Sequence, residues 1–341
     1  MKFAVAIAVF TFALSGAEFS DRLSKSYPAK PGGKLVFDTE YGAVHVVTAD
    51  VQNIALELER KLDADDKAEA DRIFQDLDIQ QTEAAGETRI TAKFKTGWKP
   101  ESQVKGRRRI CRDGDCLEYA NQLREVRYRL TVPREFHVDL STRSGAVSVA
   151  DLRGSANART SGGSLTFGRI QGPVTGKTSG GSIRLTETTG TADLKTSGGN
   201  IHIGAAQGEV DAATSGGSIS VERAKASVRA RTSGGNIEVK EVAGLVDAKT
   251  SGGAVRAVLT RQPEAPCTLA TSGGSINVAL PPDAKVDVDA VTSGGGVSTE
   301  FPVTAQGDMK RNVLKTKING GGPVMTLRTS GGSIRLTKST I

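Results

Sequence analysis

The amino-acid sequence predicts an all-β chain wound as a parallel β-solenoid, with two short strands in each coil of about eighteen residues. An N-terminal strand segment carrying one helix precedes the coils. Three observations predict this. The tetrapeptide Thr-Ser-Gly-Gly begins at Thr160, Thr178, Thr196, Thr214, Thr232 and Thr250, eighteen residues apart each time, and returns at Thr271, Thr292 and Thr329. Apolar residues recur in the same register, as in Leu165, Ile183, Ile201, Ile219 and Ile237. Polar and glycine-rich turns bracket every apolar run.

Residues 179–196, SGGSIRLTETTGTADLKT, show how one repeat makes one coil. Ser-Ile-Arg-Leu and Ala-Asp-Leu-Lys-Thr each alternate, and a period of two means strand. Alternate side chains point to opposite faces, so Ile183 and Leu185 point inward with Ala192 and Leu194. Between the latter, the row Asn157, Thr175, Asp193, Asp211, Arg229 and Asp247 faces water. The second strand carries small inward residues, and aromatics make up only 4% of the chain, so the interior should be thin. Gly162, Gly180, Gly198, Gly216, Gly234 and Gly252 mark the corners, where a tight turn would need the positive φ that glycine reaches freely. A single coil buries too little to order itself, which makes stability a property of neighbouring coils.

The chain has 341 residues, enough for two domains or one long solenoid, and its forty glycines follow from the repeated corners. A net charge of +7 permits acidic partners without demanding them. Residues 1–17 open with Lys2, continue through Phe3, Val5, Ile7, Val9 and Phe10, and end Ser15-Gly16-Ala17. That pattern is expected for a signal peptide cleaved after Ala17, with an uncleaved anchor as the rival; the run is short for a membrane span. The mature protein is then expected to be exported to the periplasm, cell surface or exterior, and not to span a membrane.

Residues 18–142 read as a strand-and-helix segment capping the solenoid, and residues 143–341 as the repeat solenoid itself. Residues 21–34, with Pro28 and Pro31, read as a polar lead-in. Residues 35–46 resemble a degenerate coil with its corner at Gly42. Ile54, Leu56 and Leu58 alternate as a strand. Ala70, Ile73, Phe74 and Leu77 fall at helical spacing behind Asp63, Asp65 and Asp66, giving an amphipathic helix with an acidic start.

Residues 96–122 interrupt the pattern with a long polar loop. Trp98, Lys105, Arg107, Arg108 and Arg109 make it a candidate site for phosphate or acidic sugar, weighed against a solvated loop without a ligand. Cys111 and Cys116 bracket an Asp-Gly turn and are expected to form a local disulfide in an exported protein; a metal site is the rival. Cys267 is left over and reads as a buried thiol. The chain ends almost directly after Ile334-Arg335-Leu336, so this terminal strand edge is expected to be covered by an earlier loop or by another molecule, including a second copy.

Val132-Pro133, Asp139-Leu140-Ser141-Thr142, Ser144-Gly145-Ala146-Val147-Ser148-Val149, the Thr-Ser-Gly-Gly corners and Ile318-Asn319-Gly320-Gly321-Gly322-Pro323 occur in that order. Together they resemble the bacterial β-strand-repeat "putative adhesin" family, also called domain of unknown function 4097. The resemblance covers roughly residues 35–336. It implies an exported parallel β-solenoid and carries no catalytic residues over.

Asp193 and Asp211 lie one coil apart, as a catalytic dyad or cation site would require, but Lys177, Lys195 and Lys249 lie two residues from that row and favour charge compensation. No aspartate recurs at the corners to hold calcium, the Gly-Gly pairs lead into strands where a phosphate loop would open a helix, and three scattered histidines make no triad. The expectation is an exported, non-catalytic binding or scaffold protein, without cofactor or metal. Its partner would be an envelope or extracellular glycan or protein, and not nucleic acid. The alternative is a polysaccharide-active parallel β-helix enzyme, a hydrolase or lyase.

Overall fold

A computed structural model of the protein describes residues 17–84, 86–95, 98–100, 111–112, 115–117, 122–303 and 311–339. In the repeat of residues 179–196, Ile183–Thr188 forms one strand and Ala192–Lys195 the other. Ile183 pairs in parallel with Ile201, and Ala192 with Val210, so each residue lies beside its counterpart eighteen positions on. Repetition builds two facing sheets of fifteen and fourteen strands, almost wholly parallel between the N-terminal and C-terminal ends. The expected β-solenoid is what forms. Phe167, Leu185, Ile203, Val221 and Val239 are completely buried between the sheets, beside Leu194, Ala212, Ala230 and Ala248.

The first strand of each coil is longer than its alternation indicates. Leu185 and Thr188 both point inward with two residues between them, so the strand bends after Leu185 and continues to Thr188. Ile170, Thr188, Ala206, Ala224 and Val242 thereby add a third buried column. Thr188 is hidden in it because its Oγ1 donates to the Gly172 carbonyl at 2.7 Å.

The corner glycines sit at bends, but the reason expected for them is corrected. None of Gly162, Gly180, Gly198, Gly216, Gly234 or Gly252 has a left-handed φ. The steric demand falls on the second glycine of each pair. A Cβ on Gly181 would lie 2.1 Å from the Gly163 carbonyl oxygen, and one on Gly217 would lie 2.0 Å from that of Gly199. Stacked backbones approach too closely there for any side chain.

The corner threonines bind one coil to the next. Thr196 is buried, donates from Oγ1 to the Gly181 carbonyl at 2.8 Å, and accepts from the Gly199 amide at 3.3 Å. Thr160, Thr178, Thr214, Thr232 and Thr250 repeat the arrangement. Thr196→Val keeps the shape and strands both backbone groups, so urea unfolding should show a loss of about 1–3 kcal/mol. Thr196→Ser should retain most of that.

The N-terminal segment joins the stack as extra layers. The polar lead-in expected over residues 21–34 is instead mostly strand: Ala17–Pro28 pairs antiparallel with Asn53–Ala64. Its alternation is disguised because Asp21 and Lys25 stand on the same side as Phe19, Leu23 and Tyr27, and Asp21 is paired there with Arg60. The helix spans Lys67–Asp76. Asp66 caps the Glu69 amide at 2.8 Å while Glu69 accepts from the Asp65 amide at 2.8 Å, a reciprocal cap. Ala70 and Ile73 are buried, and Arg60 stacks 4.9 Å over the Phe74 ring.

The degenerate coil of Lys34–Tyr41 and Ala43–Ala49 lies directly against the coil of His137–Ser144 and Val147–Val149, although nearly a hundred residues separate them. Tyr128 seals this junction, with its ring 5.1 Å from Phe37 at 62° and its hydroxyl accepting from Thr39 at 3.1 Å. Burial pushes the Tyr128 phenol up to about 12, with the Thr39 hydrogen bond opposing. The folded chain thus keeps a proton that the unfolded chain loses from about pH 10. This contribution is fully present below pH 10 and lost as pH rises toward 12, with a slope approaching about 1.4 kcal/mol per pH unit. Denaturation curves of the wild type should show that limb, and Tyr128→Phe should make it shallower.

At the other end the last coil in sequence is not the last in space. Val324–Thr329 lies between Cys267–Ala270 and Val286–Thr292, and Ile334–Lys338 lies between Ile276–Leu280 and Val297–Thr299. The final strand is therefore paired on both sides by its own chain. An earlier stretch of the chain, Val297–Thr299, covers that edge, which is one of the two coverings expected for it. The outermost strands are Val297–Thr299, only three residues long, and Val313–Ile318, which folds back antiparallel on Val286–Thr292. A short edge and a reversed strand are ways of blunting edge-to-edge pairing.

Candidate binding face

The second sheet presents two straight outward columns. One is the expected row, in which Asn157, Thr175, Asp193, Asp211, Arg229 and Asp247 pair in sequence. Two residues on, strand alternation places a second column on the same face: Arg159, Lys177, Lys195, Ala213, Arg231 and Lys249. The register extends it through Ala270 to Arg328.

Charges in these columns are mostly matched. The Lys195 Nζ stands 2.7 Å from Asp193 and 3.7 Å from Asp211, so the two carboxylates one coil apart share a cation. The hydrogen bond to Asp193 holds the lysine above its ordinary range. Arg159 pairs with Asp139 at 3.3 Å, and Arg328 pairs with Asp289. Around Asp247 the matching fails. Arg229 at 3.7 Å, Arg231 at 3.0 Å and Lys249 at 3.1 Å all turn to its one carboxylate. Sequence reasoning saw Arg229 and Lys249 near the row but missed Arg231; continuing the register by two residues would have found it.

The outer face of the first sheet is mixed, with Arg184, His202, Ser220, Glu238 and Arg256 in one column. Near its N-terminal end, His45 Nδ1 meets Ser148 Oγ at 2.7 Å. Burial, then Arg127 and Arg129, push that imidazole below its ordinary value. A groove of about 520 Å³ beside it is lined by Arg22, Glu57, Glu59, Arg127 and Arg129. Its charges pair internally, with Arg22 at 3.1 Å and Arg127 at 3.5 Å from Glu59.

Of the loop candidates, Trp98 opens a short strand, Trp98–Pro100, against Asp115–Leu117. Its side chain, and the residues Lys105, Arg107, Arg108 and Arg109, lie outside the described residues. Residues 1–16 of the expected signal peptide lie outside them too. Cys111 and Cys116 are backbone partners in an antiparallel ladder. Cys267 is buried, and desolvation pushes its thiol up. Among the described residues, no three His, Cys, Asp or Glu side chains gather as a metal site would need, and no helix is long and apolar enough to cross a membrane.

The fold and this face define a two-sheeted parallel β-solenoid whose outward rows carry laddered charge. The family model Toastrack DUF4097 matches residues 33–337, and the chain belongs to that family. A search of curated proteins finds no match. Among solved structures, one of a "putative adhesin" from Parabacteroides merdae is 10% identical, covering 94% of this chain and 96% of its own, with a TM-score of 0.42. A "putative adhesin" from Bacteroides fragilis is 14% identical over 94% and 97%, with a TM-score of 0.28. A "putative lipid binding protein" from Parabacteroides distasonis is 12% identical over 94% and 97%, with a TM-score of 0.37. The architecture assigned above rests on the strand ladders of the chain itself.

Proposed function

We propose that this is an exported, non-catalytic binding protein of the cell envelope or surface, adhesin-like in mode, which uses the outer face of its second sheet as a contact surface. The observation that carries the reading is the unbroken pair of outward columns on the second sheet. These columns hold side chains in fixed register across successive coils. The sharing of Lys195 by Asp193 and Asp211 supports binding over turnover, because a general acid–base pair needs one carboxyl left protonated and not held by a cation. Export is supported by the apolar N-terminal segment ending at Ala17. A Cys111–Cys116 disulfide is part of the proposal. Directly opposed residues of an antiparallel pair have Cα atoms roughly 4.5–5.5 Å apart, inside the range a disulfide spans.

Fractionation should place the protein outside the cytoplasm, with a mature N-terminus at Glu18. Alkylation without reductant should modify neither Cys111 nor Cys116, and reductant should add two labels. A glycan array run beside reducing-sugar and lyase assays should show binding without turnover. Release of reducing ends or unsaturated sugar would establish the enzyme reading in its place.

A further inference from the structure

The uneven charge on the second sheet points to a particular class of partner; this rests on the proposed binding role and deepens it. Between Lys177 and Lys249 the two outward columns hold five cations, Lys177, Lys195, Arg229, Arg231 and Lys249, against three carboxylates, Asp193, Asp211 and Asp247. The excess sits at two places. One is Lys177, which is exposed and has no ion pair among the described residues. The other is the cluster around Asp247, where three cations share one carboxylate whose own side chain is only 19% exposed. The carboxylate holds the two guanidiniums and the ammonium together, and roughly half of each of those three side chains remains open to water. Arginine forks keep donors for a second, bidentate oxyanion while one edge is occupied.

Lys177 and Arg231 occupy one column three rungs apart, which is about 14 Å at the inter-strand spacing. Ala213 lies between Lys195 and Arg231 in that column and raises no barrier. Two cationic points separated in a straight line suit a linear polyanion laid across the strands, rather than one compact anion. Two residues past the end of each strand, at the corner bends, Ser179, Ser197, Ser215, Ser233 and Ser251 form an exposed row, whose hydroxyls can exchange hydrogen bonds with sugar hydroxyls. These columns contain no aromatic side chain on which a nucleic-acid base could stack.

We propose that this strip binds a linear acidic polysaccharide, with Arg229, Arg231 and Lys249 as the anchor and Lys177 as the second contact. The test is calorimetric titration of the full chain with polygalacturonate, with dextran, galacturonate monomer and poly(dT) in parallel, at low and at raised salt. Polygalacturonate should bind, and both dextran and monomer should bind at least tenfold more weakly. Added salt should weaken the complex. The double variant Arg231→Ser with Lys249→Ser should lose at least tenfold. Arg184→Ser with Arg256→Ser, on the opposite sheet, should lose less than twofold. Equal losses from the two double variants, equal binding of the monomer, or tighter binding of poly(dT) through the same residues would each overturn the proposal. Pull-down on isolated cell envelopes separates this inference from the reading beneath it. Envelope binding without polygalacturonate binding sinks the polysaccharide assignment alone, and binding to neither sinks both.

Discussion

Gly217→Ala should collapse the stack, while Gly216→Ala, one residue away, should leave it standing. A Cβ on Gly217 would sit 2.0 Å from the Gly199 oxygen and 2.4 Å from the Gly199 carbon. Both atoms are backbone in the coil beneath and cannot rotate away. Relief requires the coils to separate, and separation breaks the Ala192–Val210 and Ile201–Ile219 ladders on either side. The cost should exceed about 4 kcal/mol, the level reserved for a named steric or packing failure. A Cβ on Gly216 would meet the Gly198 oxygen at 3.4 Å, an ordinary contact, and φ there is not left-handed. Its cost should stay within about 1 kcal/mol, the intrinsic scale of a glycine-to-alanine change. The second turn supplies a comparison. Gly190, Gly208 and Gly244 recur there, each with 2.5 Å between an added Cβ and neighbouring backbone, but Ala226 takes the same position, so one coil of that turn makes room for a methyl group. Urea unfolding of the two variants decides the matter, and equal destabilisation would show that the corner is not set by inter-coil contact.

Ending the chain after Gly322 should unravel more than the coil it deletes. Residues 324–338 fill a slot inside the stack, so their loss leaves Val286–Thr292 and Val297–Thr299 without their parallel neighbours. Met325, Leu327, Ile334 and Leu336 are at most 1% exposed in the intact chain, and they cover Cys267, Leu269, Ile276 and Val278 from the C-terminal side. The most direct readout is Cys267. Its thiol is buried and desolvated in the intact protein, and should be inert to thiol reagents until unfolding. In the truncated chain it should react within the mixing time, and proteolysis should begin near Pro281 and Pro282. If residues 324–338 were a dispensable outer layer, Cys267 would stay protected and residues 286–299 would resist cleavage.

The sequence made the coil legible because its physics is local and repeated. Each inward column samples the same environment in every coil, so Ile183, Ile201, Ile219 and Ile237 report one position many times over. The helix was equally readable, since its cap at Asp66 and its buried Ala70 and Ile73 lie within three turns of chain. What escaped was long-range. No local pattern says that residues 324–338 enter between coils already made, or that Lys34–Tyr41 pairs with His137–Ser144. The strand Ala17–Pro28 escaped because Asp21 and Lys25 occupy half-buried positions that its partner strand makes tolerable. The glycine error had the same origin. Composition located the corner, but only the neighbouring coil shows that Gly181, and not Gly180, is the position without room. The binding face was half visible: the Asp193–Asp211 row was plain, whereas the crowding of Arg229, Arg231 and Lys249 onto Asp247 depends on side-chain reach across rungs.

The central claim is that successive repeats stack as parallel rungs, each displaced from the last by one inter-strand spacing. Distances between spin labels test it directly, with one label at Ser161 and the second in turn at Ser233 or Ser251, all exposed corner positions. Four and five rungs should give separations near 19 and 24 Å, at about 4.8 Å per rung. An equal or shorter distance to Ser251 than to Ser233 would mean that the repeats fold back on one another, and the solenoid would have to be abandoned.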